Sequence, residues 1–290
     1  MNAVVSIATP RPSIGLPAGT EQEFSFGKAD FDRVRSLIYQ RAGISLHEGK
    51  QAMVYSRLSR RLRETGHRSF GSYLQWLEQA GAAGSAEWQE FINCLTTNLT
   101  AFFREEHHFV SLDEELRRRA GRPQRIWCSA ASTGEEPYTI AMTAVEALGA
   151  GPAVSILASD IDTRVLAAAQ RGVYEAAARG LSPQRLKRHC LRGTGANEGR
   201  LRIRPELARL VAFRPFNLMA ADWSSLGEPF DIVFCRNVMI YFDAPTQRRV
   251  LERMHGAMQP GGLLYVGHSE NFTDARSLFR LRGKTIYERL

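Results

Sequence analysis

Apolar residues change their spacing near residue 98, and that change divides the chain. Before it, Phe31, Val34, Leu37 and Ile38 stand three and four apart, as do Val54, Leu58 and Leu62. The same spacing returns at Tyr73, Trp76 and Leu77, and again at Trp88, Phe91, Ile92 and Leu95. Each set falls on one face of a helix with 3.6 residues per turn. Gly43, Gly66 and Gly81 follow three of these runs, where a residue with left-handed backbone commonly ends a helix. Residues 23–97 are therefore predicted to form a small helical domain of about four helices. Residues 1–22, rich in Pro and Gly with few large apolar groups, are predicted to be a disordered leader.

After residue 98, short apolar runs at 125–128, 154–159, 210–215, 231–235 and 262–267 alternate with helical stretches at 135–148, 163–171 and 245–258. Alternation of this kind predicts an α/β fold with a doubly wound, mainly parallel sheet over residues 98–290. Between about 173 and 214 the alternation breaks. There Gly193, Gly195 and Gly199 flank a tight turn before Leu201-Arg202-Ile203-Arg204, which alternates like a strand. An antiparallel β insertion is predicted over that stretch.

Composition narrows the classes. A chain of 290 residues with 44% hydrophobic and 23% charged positions is globular. A net charge of +8 favours an acidic partner. Cys94, Cys128, Cys190 and Cys235 lack metal-ligand spacing, and the second and fourth sit in apolar runs suited to buried thiols. No apolar run is long enough to span a bilayer, and the N-terminus does not resemble a signal peptide. A reducing cytoplasm is the expected setting.

The run Trp127-Cys128-Ser129-Ala130-Ala131-Ser132-Thr133-Gly134-Glu135-Glu136-Pro137-Tyr138 joins a predicted strand to a predicted helix. Small residues there let the backbone approach a ligand, and the helix start presents unpaired N–H groups. Glu135 and Glu136 would repel a pyrophosphate, which disfavours a dinucleotide. A cationic nucleoside such as S-adenosylmethionine fits the two acids.

Other positions extend this reading. Asp160 ends the second predicted strand and is suited to accept hydrogen bonds from ribose hydroxyls, with Asp162 or Thr163 available to cap the next helix. Asn217 either reads an adenine edge or closes an Asx turn. Arg236 and Asn237 stand at the carboxyl end of an apolar strand, the usual ligand edge of such a sheet. Arg236 there needs a buried partner, a ligand or else Asp231 or Asp243. Tyr241 follows them as a site residue or a core aromatic. The segment Asn98 to Phe109 joins the two domains as a cleft wall or a plain linker. Adjacent His107 and His108 are expected to diverge, so no metal site is assigned. Arg57, Arg60, Arg61 and Arg63 form a basic arc beside an apolar stripe, interrupted by Glu64, and suit an acidic partner.

Four blocks in order carry a resemblance: Leu95-Thr96-Thr97-Asn98-Leu99-Thr100-Ala101-Phe102-Phe103-Arg104, Ser132-Thr133-Gly134-Glu135-Glu136-Pro137-Tyr138, Cys235-Arg236-Asn237-Val238-Met239-Ile240-Tyr241-Phe242, and Gly267-His268-Ser269-Glu270. From about residue 22 to 290 the chain resembles the bacterial chemotaxis-receptor glutamate methyltransferases, the CheR family. Many relatives have Gly and Cys where this chain has Ala130-Ala131 or nearby small residues, a small-for-small departure.

The resemblance implies methyl transfer from S-adenosylmethionine to glutamate carboxylates of chemoreceptors, without a metal. It places Asn98, Thr100, Arg104, Glu135, Asp160, Asn217, Leu218, Arg236 and Asn237 at the cofactor, and Arg104, Arg236 and Tyr241 at the transfer centre. It assigns the helical domain to receptor docking, and likens Gly193-Thr194-Gly195 to a loop that grips a receptor's C-terminal peptide. A monomer with no nucleic-acid partner and no membrane insertion is the accompanying expectation. The competing readings are a nucleic-acid methyltransferase, against which an Asp/Asn-Pro-Pro-Tyr/Phe motif is absent, and a non-enzymatic S-adenosylmethionine-responsive adaptor.

Overall fold

The computed structural model describes residues 23–79, 86–272 and 275–290. The leader predicted over 1–22 and the helix stop predicted at Gly81 lie outside them. Helices α1 Lys28–Ala42, α2 Gln51–Thr65, α3 Phe70–Gln79 and α4 Ala86–Leu95 follow the four apolar runs. Their stripes meet in one core containing Val34, Ile38, Val54, Leu58, Leu62, Leu77 and Phe91, all buried. Gly43 and Gly66, with φ of 71° and 75°, end α1 and α2 as predicted. Neither position is strained, because glycine has no Cβ to clash there.

Helix α5 His107–Arg118 leads into the α/β unit. Its elements are β1 Gln124–Cys128, α6 Glu135–Leu148, β2 Val154–Asp160 and α7 Thr163–Arg171. The insertion contributes β3 Val173–Glu175, α8 Pro183–His189, β4 Cys190–Arg192, β5 Arg200–Ile203 and α9 Pro205–Ala208. Then come β6 Val211–Pro215, β7 Phe230–Cys235, α10 Ala244–Gly256, β8 Met258–Val266, β9 Phe279–Gly283 and β10 Ile286–Arg289.

The main sheet runs β6-β2-β1-β7-β8-β10-β9, and its first five strands are parallel. Buried apolar runs make those five strands legible, since a sheet covered on both faces needs them. The antiparallel pair β9 and β10 was not foreseen; β9 is Phe-Arg-Leu-Arg-Gly, exposed at its arginines. The insertion forms the antiparallel sheet β3-β5-β4. In β5, Leu201 and Ile203 point into the core while Arg200 and Arg202 stay exposed, which is the period of two at work.

Sheet order decides where a ligand can enter. The chain winds outward from β1 to β2 and β6, then crosses back to β7 and β8 on the other side of β1. Connections therefore diverge between β1 and β7 and open a crevice at their carboxyl ends. The helical unit lies against that crevice through polar contacts. Ser45 N donates to Tyr241 O at 2.8 Å, Gln89 Nε2 to Ile161 O at 2.8 Å, and Asn93 Nδ2 to Thr163 Oγ1 at 3.1 Å.

Gly134 shows how tightly the β1–α6 turn is built. Its φ is 99°, and an added Cβ would lie 2.7 Å from the Tyr174 hydroxyl and 2.8 Å from Ala169 Cβ. Gly134→Ala is expected to destabilise the fold by about 1–3 kcal/mol through overpacking, with backbone strain in addition. A lowered urea midpoint at unchanged slope is the check.

Candidate active site

The crevice holds a cavity of about 330 Å³, within the range for a small-molecule site. Asn98, Thr100, Arg104, Asp160, Asn217, Leu218, Arg236, Asn237 and Tyr241 all line it, joined from the helical unit by Leu46, Met53 and Leu95. Loop geometry explains this convergence. The β1–α6 turn carries Ser132 with φ 49°, and the ends of β2 and β7 bring Asp160 and Arg236.

Asp160 is 8% exposed. Its Oδ2 accepts Ser132 N at 2.8 Å and its Oδ1 accepts Asp162 N at 2.9 Å. Asp162 caps α7, accepting Arg164 N at 2.9 Å and Val165 N at 3.2 Å, so the capping role falls where predicted. Burial lifts the Asp160 carboxyl to about 6, with the Asp162 and Ser132 backbone N–H groups opposing that rise.

Arg236 has a fully buried side chain. Its Nη1 lies 2.6 Å from Glu136 Oε2 and its Nη2 lies 3.3 Å from Glu105 Oε2. Nη2 also donates to the Arg104 carbonyl, and the guanidinium lies 5.5 Å from the Phe109 ring centroid. Burial raises the Glu136 carboxyl above the usual range, and Arg236 pulls it back. Glu105 is also pushed up by burial, but Arg236, Asn237 and the His268 N–H outweigh that and hold it low. The partners expected for Arg236 from sequence, Asp231 and Asp243, serve elsewhere: Asp231 accepts Arg125 N at 2.9 Å, and Asp243 caps α10.

Several expectations are redrawn by these contacts. Glu135 accepts Thr133 Oγ1 at 2.7 Å and stays off the cavity wall, while its neighbour Glu136 takes the place facing Arg236. Asn217 lines the cavity, but its Oδ1 closes an Asx turn with Met219 N at 2.9 Å and its Nδ2 donates to Arg41 O at 2.7 Å. The Asx-turn alternative is thus the one the contacts show, and each amide atom keeps one further hydrogen-bonding position. Glu105 and Glu136 were not assigned a pairing role from sequence; the unmatched charge of Arg236 was the signal that pointed to acids nearby.

The two parts of the chain match known families. Residues 98–287 match the family described as "CheR methyltransferase, SAM binding domain", and residues 29–96 match "CheR methyltransferase, all-alpha domain". The chain belongs to the CheR methyltransferase family. It is similar to the chemotaxis protein methyltransferase of Klebsiella aerogenes, 54% identical over 280 residues, covering 96% of this chain and 95% of that one. It is also similar to that of Escherichia coli, 52% identical over 268 residues with 92% of each chain covered. Chemotaxis protein methyltransferase 2 of Pseudomonas aeruginosa is 53% identical over 284 residues, covering 97% of this chain and 98% of its own.

Not all of the basic arc is available to a CheR partner. Arg57 Nη1 donates to Thr96 O at 2.7 Å, closing the end of α4. Arg61 pairs with the buried Glu87, which also accepts the Tyr73 hydroxyl at 2.7 Å. Only Arg60 and Arg63 remain outward, 68% and 57% exposed in their side chains, with Glu64 and Glu23 beside them. The histidine expectation also changes. The rings of His107 and His108 lie 4.1 Å apart, because α5 begins at His107 after a left-handed Glu105 with φ 58°. Glu105, His107 and His108 therefore cluster within 4.8 Å, but the Glu105 oxygens already serve Arg236, Asn237 and His268.

Two outcomes follow from this electrostatics. Arg236→Ala leaves two part-buried carboxylates without their cation and opens a cavity, and is expected to destabilise the protein by about 2–4 kcal/mol in chemical denaturation. Asp160 accepts a ligand's two hydroxyl hydrogens most strongly when ionised, and burial lifts its carboxyl to about 6. Affinity for S-adenosylhomocysteine, measured by calorimetry, is therefore expected to hold above pH 7 and to fall by up to about tenfold per unit below pH 6. Asp160→Asn should bind weakly and without that pH dependence.

Proposed function

We propose that this CheR-family chain transfers the methyl group of S-adenosylmethionine to glutamate side chains of chemoreceptors, forming methyl esters. The observation that carries this reading is the pairing of a buried-acid crevice at the sheet's switch point with the Arg104 guanidinium on its wall. Asp160 suits the ribose, and Glu136 adds negative charge near the place a sulfonium would occupy. S-adenosylmethionine supplies an electrophilic methyl that a carboxylate oxygen can take as the carbon–sulfur bond breaks.

A glutamate carboxylate, with an ordinary pKa near ~4.3, is ionised at neutral pH and needs no general base. The protein's work is to aim it. Arg104 Nη1 donates to Leu99 O at 2.8 Å, and among the described residues Nη2 has no hydrogen-bond partner. One terminal nitrogen thus holds the side chain in place while the other is open to a carboxylate oxygen. Tyr241 borders the same space and helps exclude water. Arg236, fully buried between two acids, acts on the reaction by holding Arg104's main chain and does not grip the substrate itself.

In this proposal the helical unit over residues 23–97 docks acidic receptor helices, with Arg60 and Arg63 outermost. The insertion offers its two edge strands and the Gly193-Thr194-Gly195 turn to a receptor's C-terminal peptide. Gly193 N–H bonds to Arg200 O at 2.9 Å, and a side chain there would collide with the Asn197 carbonyl, so the turn requires glycine. The crevice is complete within one chain, which supports action as a monomer. No helix among the described residues is long and apolar enough to cross a membrane.

Tritiated-methyl transfer to receptor-rich membranes tests this function. Label released as methanol in alkali, insensitive to nuclease, supports a carboxyl ester; nuclease-sensitive and steeply salt-dependent incorporation supports a nucleic-acid substrate. An adaptor would incorporate nothing. Arg104→Ala is expected to lower turnover at least ~100-fold through lost orientation, with S-adenosylhomocysteine binding largely kept. Normal turnover in that variant removes Arg104 from the mechanism.

A further inference from the structure

The block Gly267-His268-Ser269-Glu270 has no part in the mechanism above, yet its last residue is 3% exposed and faces the cleft wall from behind. The Glu270 carboxylate accepts four main-chain N–H groups. Oε2 receives Gly267 N at 2.6 Å and Asn237 N at 2.9 Å, while Oε1 receives Met239 N at 2.7 Å and Ile240 N at 3.3 Å. Three of these donors belong to the segment after β7 that carries Asn237 and Tyr241. The short helix Met239–Tyr241 starts in that segment, and its first N–H groups have no partner of their own. Glu270, arriving from beyond β8, supplies the cap.

Two further observations show that this approach is specified. A Cβ on Gly267 would collide with the Asn237 amide nitrogen and lie 2.9 Å from both Asn237 N and Glu270 Oε2. Only glycine lets the end of β8 come this near. Asn237 has φ 57°, a sparsely populated backbone state that persists only where surrounding contacts hold it. On its far side the segment is held by Ser45 N donating to Tyr241 O and by the bridge between Ile44 and Phe242. The wall bearing Tyr241 is thus clamped between the helical unit and Glu270.

We infer that Glu270 is a positioning residue for methyl transfer, fixing the Asn237–Tyr241 segment so that the acceptor carboxylate meets its target in line. It touches neither acceptor nor donor. The inference rests on the methyl-transfer reading and deepens it. Gln is nearly isosteric with Glu but turns an N–H toward backbone N–H groups, so Glu270→Gln loosens the segment without opening a cavity.

The test uses the full chain with receptor membranes. For Glu270→Gln, kcat is expected to fall about 100-fold, the scale of a small misplacement, while the S-adenosylhomocysteine Kd stays within about threefold. Gly267→Ala is expected to lower kcat in the same way with the carboxylate intact, and serves the same comparison if Glu270→Gln does not fold. Leu112→Ala, a buried change on α5 away from the cleft, matches the loss of stability and is expected to keep kcat. A folded Glu270→Gln with kcat within about threefold of the parent overturns the inference, as does an equal kcat loss in Leu112→Ala. If the parent itself yields no alkali-labile methyl, the function fails separately. Hydrogen exchange at Asn237, Met239 and Ile240 then decides: faster exchange in Glu270→Gln supports the clamp, and unchanged exchange overturns it.

Discussion

A guanidinium without access to water sits at the centre of this molecule. Moving a cation and two carboxylates out of solvent costs several kcal/mol per ion, and only close mutual pairing offsets it. Arg236 meets Glu136 at 2.6 Å and Glu105 at 3.3 Å, and its Nε has no hydrogen-bond partner among the described residues. Three separate stretches must therefore arrive together: the end of β7, the first turn of α6, and the segment preceding α5. Those are the walls of the crevice, so the arrangement that satisfies the buried charge also assembles the site. Of the six described non-glycine residues with left-handed backbone, Phe103, Glu105, Ser132 and Asn237 lie on or beside these stretches, while Lys284 and Thr285 form the turn between β9 and β10.

The helical unit is part of the site as well as a neighbour of it. Asn217 donates to Arg41 O, Thr96 Oγ1 bonds to Asp162 at 2.7 Å, and Ser45 holds Tyr241. Contacts of this kind fix the helical unit against the crevice wall. They also show why net charge is a poor map of a docking surface. The chain carries a charge of +8, yet Arg57 and Arg61 of its basic arc are tied down by the Thr96 carbonyl and the buried Glu87, and the exposed Arg60 and Arg63 also pair with Glu64 and Glu23. Only the outward-facing remainder can attract an acidic partner.

Much of the fold was legible along the chain. The four helical runs, the five parallel strands, the glycine stops after α1 and α2 and the Asp162 cap depend on neighbours three or four residues away, and such periodicity is written locally. The antiparallel insertion was visible through its glycines and alternation. The C-terminal pair β9 and β10 was missed because β9 alternates arginine with single apolar residues and reads as an exposed stretch. Most residues named for the site do line one cavity, since they stand at strand ends and a parallel sheet gathers those ends together.

What the chain could not announce was which partner each polar group would find. Glu136 faces Arg236 while Glu135 turns to Thr133, a choice made by the rotation of α6 and by a residue 100 positions away. Asn217 suited either a base edge or an Asx turn, and the turn forms, with Arg41 of the helical unit as a second partner that spacing could not name. Glu270 showed only as part of a motif, and became a cap once β8 ran beside the loop that needed one. Local spacing determines the elements and which residues reach the crevice. Pairing among buried charges and unpaired N–H groups is settled by distant segments that only folding brings within bonding range.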